Sequence, residues 1–222
     1  MSQFNHEETL NLSYRCSGHP LIQDKLTKLR DKRTKPSEFR KLVSDLCVLL
    51  CFEATSKLNM KSIEIETPIC KTVQNVVADR ICLVPVLRAG LGMLEGLHSI
   101  VPQARVIHIG LFRNEETLQP VEYYKKLPPQ CDADIAIVLD PMLATGGSAV
   151  ATIERIKDWG VKKVIFMCIL AAHVGISNVN KAHPDVEIYC CGVDRELNSN
   201  GYIVPGLGDA GDRQYQGDYC YE

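Results

Sequence analysis

The sequence predicts an α/β protein: a mainly parallel, twisted sheet with helices on both faces, to which an extended β-arm is attached. Two observations carry this. Between Ile81 and Val193, short apolar β-branched runs alternate with stretches of helical periodicity, the pattern of parallel strands joined by crossover helices. The chain has 222 residues, 45% hydrophobic and 23% charged, enough for one such domain with a substantial core. No repeat, low-complexity tract or linker divides it, so residues 1–222 read as a single domain.

In chain order, residues 1–18 read as a loose arm. His19 to Arg30 places Leu21, Ile22, Leu26 and Leu29 at helical spacing. Pro36-Ser37 is a helix-start signal, and Phe39, Leu42, Val43, Leu46, Leu49, Leu50 and Ala54 continue the period. In residues 61–77, Ile63, Ile65 and Thr67 alternate with Glu64 and Glu66, which predicts an extended arm or hairpin and, beyond the core pattern, a dimer contact. Strands are expected at Ile81 to Leu87, Arg105 to Phe112, Ile135 to Leu139, Lys163 to Leu170 and Val186 to Val193. Helices are expected from Gly92 to Ile100 and from about Gly147 to Trp159. Ligands of such sheets bind beyond the carboxyl ends of strands, so the loops after Leu87, Phe112, Leu139 and Val193 matter most.

Net charge is −2. Nucleic-acid binders ordinarily carry a basic surplus, and none is present, so no nucleic-acid partner is expected. The longest apolar run, Val164 to Ala172, is far shorter than the ~20 residues of a membrane span, and no membrane association is expected. Residues 1–13 carry Glu7 and Glu8 and no apolar core for a signal peptide. Of ten cysteines, Cys47, Cys51, Cys82, Cys168, Cys190 and Cys191 sit in apolar surroundings, where free thiols pack as small hydrophobes. That points to a reducing, cytoplasmic setting. Cys47 and Cys51 lie i, i+4 apart but lack two further ligands nearby, so they read as core rather than as a metal clip.

Three loops carry chemistry. The strand ending at Leu139 delivers Asp140, then Pro141-Met142-Leu143-Ala144-Thr145-Gly146-Gly147-Ser148 leads into a helix. Gly146 and Gly147 let backbone N–H groups approach an anion, Thr145 and Ser148 add hydroxyls, and the helix aims its positive end at the same point. This is a monophosphate cradle, with Asp140 placed to accept hydrogen bonds from sugar hydroxyls. The spacing is not that of a Walker loop.

Near the C-terminus, Gly206-Leu207-Gly208-Asp209-Ala210-Gly211 matches a dinucleotide fingerprint by letter. Pro205 precedes it, however, and the chain ends eleven residues after Gly211, so no helix, second strand or ribose-binding acid is expected to follow. What remains is a tight loop whose backbone can read the edge of a flat base, with one acid, Asp209. Arg88, after the first strand, and Arg113, after the second, are forked permanent cations suited to polyphosphate. No protein nucleophile is called for, and His108, His173 and His183 read as structural or surface residues.

Taken together, these segments resemble the uracil phosphoribosyltransferase family. The match runs from His19-Pro20-Leu21-Ile22 through Phe52-Glu53-Ala54-Thr55 to Arg213. Its most specific parts are Leu87-Arg88-Ala89-Gly90-Leu91-Gly92-Met93, Arg113 to Pro120, Asp140 to Ser148 and Gly201 to Asp212. Purine enzymes carry two adjacent acids in the phosphate loop, whereas Pro141 follows Asp140 here. One departure lies in the tail: the family ends in an aromatic residue followed directly by glycine, but here Gln216 separates Tyr215 from Gly217, and Asp218 to Glu222 follow.

The resemblance implies the type I phosphoribosyltransferase fold with a base-binding hood and tail at about residues 194–222. It implies transfer of ribose 5-phosphate from 5-phosphoribosyl 1-diphosphate (PRPP) to uracil N1, giving UMP and diphosphate. It also implies Mg²⁺ held mainly through PRPP, with Asp209 a candidate ligand, and a homodimer or homotetramer, some relatives being activated by GTP. Arg88, Arg113 and Asp209 would be catalytic; Arg88 and Arg113 would bind diphosphate, Asp140 the ribose, Pro141 to Ser148 the rest of PRPP, and Asp209 would face PRPP and its magnesium. Tyr202, Ile203, Gly208, Asp209 and Ala210 would bind uracil. A rival reading, a regulator that binds RNA on the same fold, would show a basic face. An inactive homologue is separated only by assay.

Overall fold

The alternating runs do fold into strands and helices, in a computed structural model that describes residues 12–113 and 120–216; of residues 112, 113, 120 and 125 it describes the backbone alone. Residues 12–18 are not a loose arm. β1 (Arg15–Cys16) pairs in parallel with the strand at Glu187–Cys190, and the Ser17 N–H donates to the Cys190 carbonyl. Two residues carry no periodicity, so the sequence gives no sign of this edge strand. α1 (Pro20–Arg30) starts one residue late because His19 is its cap, Nδ1 accepting the Leu21 N–H at 3.2 Å. α2 (Pro36–Ala54) begins at its proline and buries Phe39, Leu46, Cys47, Leu50 and Cys51. β2 (Met60–Glu66) and β3 (Lys71–Val77) form an antiparallel hairpin, Met60 opposite Val77, and β2 is exposed along its whole length.

The rest of the chain builds the sheet and its covers. In order come β4 (Ile81–Leu87), α3 (Leu91–Ile100), β5 (Arg105–Val106), β6 (Ile109–Arg113), β7 (Pro120–Lys125), β8 (Ile135–Leu139) and β9 (Met142–Leu143). Then follow α4 (Gly147–Trp159), β10 (Lys163–Met167), β11 (Leu170–Ala172), α5 (His173–Ala182), β12 (Glu187–Cys190) and β13 (Gly192–Asp194). β14 (Glu196–Leu197), β15 (Ile203–Val204) and α6 (Ala210–Tyr215) complete it. The large sheet has the order β1-β12-β10-β8-β4-β6-β7, with β5 also on β4, and only the β6–β7 pair is antiparallel. Successive residues such as Leu83 and Val84, Ile137 and Val138, or Ile165 and Phe166 enter opposite cores. One core is roofed by α1, α2 and α3, the other by α4 and α5.

Several expected strands are divided. The strand expected from Arg105 breaks at Ile107–His108 into β5 and β6. Those expected at Lys163 to Leu170 and Val186 to Val193 each break near their ends, and the upper pieces join β9 in a second parallel sheet, β13-β11-β9. Pro141 accounts for the level of the break. It has no N–H for the ladder, and its carbonyl accepts from both Ile169 and Leu170, while the Ile169 carbonyl accepts from Cys191 and Gly192. The polar stretch after Arg113 contains β7, and α5 was not anticipated at all. Contrary to expectation, a short helix, α6, does follow the glycine-rich C-terminal loop; Asp209 caps it.

Two arginines, Arg30 half-buried and Arg213 buried, fasten that loop and α6, the hood, to the helices beneath. Arg30 Nη1 and Nη2 clasp Asp194 at 2.7 and 2.8 Å, Nη1 also donates to the Gly206 carbonyl, and the Gly206 N–H returns to Asp194 Oδ2 at 2.9 Å. From α6, Arg213 donates to the carbonyls of Leu29, Asp31 and Leu207 and stacks 4.3 Å over the Phe39 ring. Burial pushes the Asp194 carboxyl up, but the hydrogen bonds from Arg30 and Gly206 and the charge of Arg30 outweigh it and hold the group below its ordinary value. A depressed carboxylate contributes stability that is present above its unfolded value near pH 3.9 and lost as pH falls through the lower folded value. Urea denaturation of the wild type below pH 4 should therefore show falling stability, and Asp194→Asn should make that limb shallower. Parallel limbs would remove Asp194 from the account.

Candidate active site

The loops after β4 and β8 and the hood surround one cleft of about 840 Å³ at the carboxyl edge of the sheet. It brings together Arg88, Asp140, Met142, Leu143, Ala144, Thr145, Gly146, Ser148, Tyr202, Ile203, Gly208, Asp209 and Ala210. Pro141 is buried beneath it, and Gly147 opens α4. Arg113 ends β6, and its side chain lies outside the described residues, as do residues 114–119 and the tail from Gly217. Ala149, Ser199 and Asn200, which sequence reasoning did not reach, share the lining with Ala89, Gly201 and Gly211, which lie in the motifs but were given no site role. The turn residues Asn198 to Gly201 were the available signal for part of them.

The phosphate loop is shaped from behind by α5. Asn178 Nδ2 donates to the Thr145 carbonyl at 2.9 Å. A Cβ on Gly175 would overlap the Ala144 carbonyl and stand 2.7 Å from that of Leu143. Three successive carbonyls thus face α5. In a trans peptide the N–H points opposite the preceding C=O, so the N–H groups of Ala144, Thr145 and Gly146 face away from α5, toward the cleft. Gly146 itself is left-handed at φ +86 and caps α4, whose N-terminal dipole points to the same place. Asp140 stands at the mouth, Oδ1 accepting the Met142 N–H at 3.3 Å.

Opposite this cradle, Arg88 is exposed and reaches Asp212 at 3.3 Å. The peptide before it, Leu87–Arg88, is cis. In the hood, both backbone polar groups of Tyr202 are used by the turn: its N–H donates to Asn198 Oδ1 and its carbonyl accepts from the Asn198 N–H. Its side chain is what it has left for a ligand. Asp209 Oδ1 accepts the Asp212 N–H at 2.8 Å as helix cap. The first N–H groups of α6, Ala210 and Gly211, have no intrahelical acceptor by position.

Among the described residues, no group of three or more His, Cys, Asp and Glu side chains is arranged to hold a metal. The cleft offers Asp140 and Asp209, a set that suits a magnesium ion carried on polyphosphate oxygens rather than caged by protein. His183 packs against the back of α4, Nε2 3.4 Å from the Val150 carbonyl, outside the cleft. Cys47 and Cys191 are buried, and burial pushes their thiols up; that of Cys82 is pushed to about 12. No helix among the described residues is long and apolar enough to cross a membrane.

The profile of the family described as uracil phosphoribosyltransferase matches residues 16–217. A uracil phosphoribosyltransferase of a Geobacillus species is 53% identical over 198 residues, 89% of this chain and 95% of that protein. One of Clostridium perfringens is 54% identical over the same shares. A solved structure of an Aquifex aeolicus protein superposes with a TM-score of 0.86 at 39% identity, covering 90% of this chain and 96% of that one.

Substitution of Gly175 tests how the cradle is held. Gly175→Ala should weaken binding of inorganic phosphate, measured by calorimetry, on the order of tenfold, about the worth of one good hydrogen bond. Val174→Ala, at an exposed neighbouring position, should leave it unchanged.

Proposed function

The chain belongs to the uracil phosphoribosyltransferase family, and from that premise we propose how its cleft divides the work of the reaction. The activity is that of a pentosyltransferase: ribose 5-phosphate passes from PRPP to uracil N1, and diphosphate leaves. The observation that carries the reading is the presence, in one cleft, of a monophosphate cradle, an arginine loop and a glycine-rich base loop.

The backbone of residues 144–148 takes the 5′-phosphate, and Asp140 takes the ribose hydroxyls. Arg88 binds the diphosphate; Arg113 is assigned to the same group by its motif. The backbone of Ile203, Gly208 and Ala210 reads uracil, and the Tyr202 side chain covers it. Breaking the C1′–O bond leaves positive charge on the sugar and moves negative charge onto diphosphate, so fixed cations aimed at the departing oxygens stabilise the transition state. Asp209 would face a magnesium ion carried by PRPP, and such an ion would neutralise further leaving charge. Holding uracil N1 against C1′ supplies the entropic part. Nine free cysteines among the described residues suit a reducing cytoplasm.

The direct test is pure protein with PRPP, Mg²⁺ and labelled uracil. UMP should form; its absence would favour an inactive homologue or an RNA-binding regulator. Asp209→Asn keeps a capping oxygen for α6 while removing the charge, so turnover should drop by about tenfold or more with little change in melting temperature. An unchanged kcat would refute the assignment.

We also propose that the β2–β3 arm packs on a second copy of the chain. A lone two-stranded hairpin is marginal in water, and this one exposes Met60, Ile63, Ile65, Ile69 and Val73. Light scattering at micromolar concentration should give at least a dimer mass, reduced by Ile63→Glu/Ile65→Glu. A monomer in the wild type would end the proposal.

A further inference from the structure

The two halves of the cleft hang from different parts of the chain, Arg88-Ala89-Gly90 from β4 and Gly208-Asp209-Ala210 from the hood. One side chain bonds both. Gln214, in α6, has no exposed surface, and its Nε2 donates to the Ala89 carbonyl at 3.0 Å and to the Ala210 carbonyl at 2.8 Å. Two carbonyls can be met only by the NH₂ end of the amide, so its orientation is settled by its partners. The other end, Oε1, is buried with no hydrogen-bond partner among the described residues. A buried oxygen without a partner is costly, and a methionine of similar length would avoid that cost. Gly92, in the first turn of α3, admits the amide: a Cβ there would overlap Oε1. One position is kept bare so that a poorly satisfied amide can sit at another.

We propose that Gln214 is a positioning residue for the transfer. By bonding Ala89 and Ala210 at once, it sets the distance between the arginine loop and the base-reading loop. It touches neither substrate. The inference rests on assigning diphosphate to the first loop and uracil to the second. Diphosphate leaves and uracil arrives at the same carbon, so the separation of these loops is set along the path of the reaction, where a misplacement of 1 Å costs up to about 100-fold. Neighbouring bonds hold α6 differently: Arg40 reaches the Gln214 carbonyl, and Asp212 reaches Arg88.

Gln214→Met keeps the length and loses both donors. Its kcat should fall about 10- to 100-fold. UMP engages only the base-reading loop of the two, so its dissociation constant should stay within about threefold. A lower melting temperature with wild-type kcat would make Gln214 merely structural and overturn the proposal. Gly92→Ala, which displaces the amide without removing it, should lower kcat in the same way, and the double variant should be little worse than the poorer single one, since both break one contact. Additive losses would overturn it. If Gln214→Met does not fold, Gln214→Asn, one methylene shorter and able to reach only one carbonyl, answers the same question, and wild-type kcat there would be equally decisive against it. Wild-type protein that forms no UMP would sink the uracil reading; wild-type protein that forms UMP beside an equally active variant sinks only this inference.

Discussion

Pro141 has no N–H, so the ladder between β8 and β10 cannot pass through it unbroken. The last regular bond is from the Asp140 N–H to the Met167 carbonyl; beyond it the Pro141 carbonyl takes two donors, Ile169 and Leu170. β8, β10 and β12 all bend at this level, and their continuations pair again as β9, β11 and β13. The break does two things for the site. It leaves Asp140 at the exposed end of a fully buried strand, and it carries the chain from β11 directly into α5, which then lies behind the phosphate loop. A single missing donor thus decides where the core stops and the cleft begins.

The hood needs a different kind of support, because it has little core of its own. β14 and β15 are two residues each, and α6 has six, far below the length at which a helix stands alone in water. Its anchors are ionic. Arg30 and Asp194 meet in a bidentate pair with Gly206 closing the ring, and Arg213 spends its guanidinium on carbonyls from α1, from the turn after it and from the loop itself. Buried charges are tolerated when paired and hydrogen-bonded; buried Asp194 is met by Arg30 and the Gly206 N–H, and buried Arg213 by three carbonyls. Backbone carbonyls supply that partnership without side chains that would crowd the cleft.

What was legible in the sequence follows from these physical differences. Apolar runs such as Ile81 to Leu87 and Ile135 to Leu139 are buried on both sides, so composition alone marked them. The phosphate loop was legible because a strand-end acid, hydroxyls and glycines occur together at a helix start. The break at Cys168–Ile169 was not, because every residue from Val164 to Ala172 is apolar and the bend is imposed by Pro141 on a neighbouring strand. α5 buries only Gly175, Ile176, Ser177 and Val179, too few for a periodic stripe. α6 was misjudged because its stability lies in Asp209 and Arg213 contacts rather than in its own six residues. The support of the loop by Gly175 and Asn178 is a tertiary fact with no local signature.

α6 is where these demands meet, and its residues are assigned one by one. Asp209 caps it, Asp212 reaches Arg88, Arg213 reaches down to α1 and Phe39, and Gln214 reaches across to Ala89. Since the helix cannot hold itself, its place is set by those contacts together with the bond from Arg40 to the Gln214 carbonyl. Two of them lead to the arginine loop and one to the fixed core, while its first turn is part of the base-reading loop. The arginine loop and the base-reading loop are therefore joined through a body with no independent stability. Hydrogen bonds of ordinary length, 3.3 Å between Arg88 and Asp212 and 3.0 Å between Gln214 and Ala89, tie the two halves of the cleft to a common core through this six-residue helix.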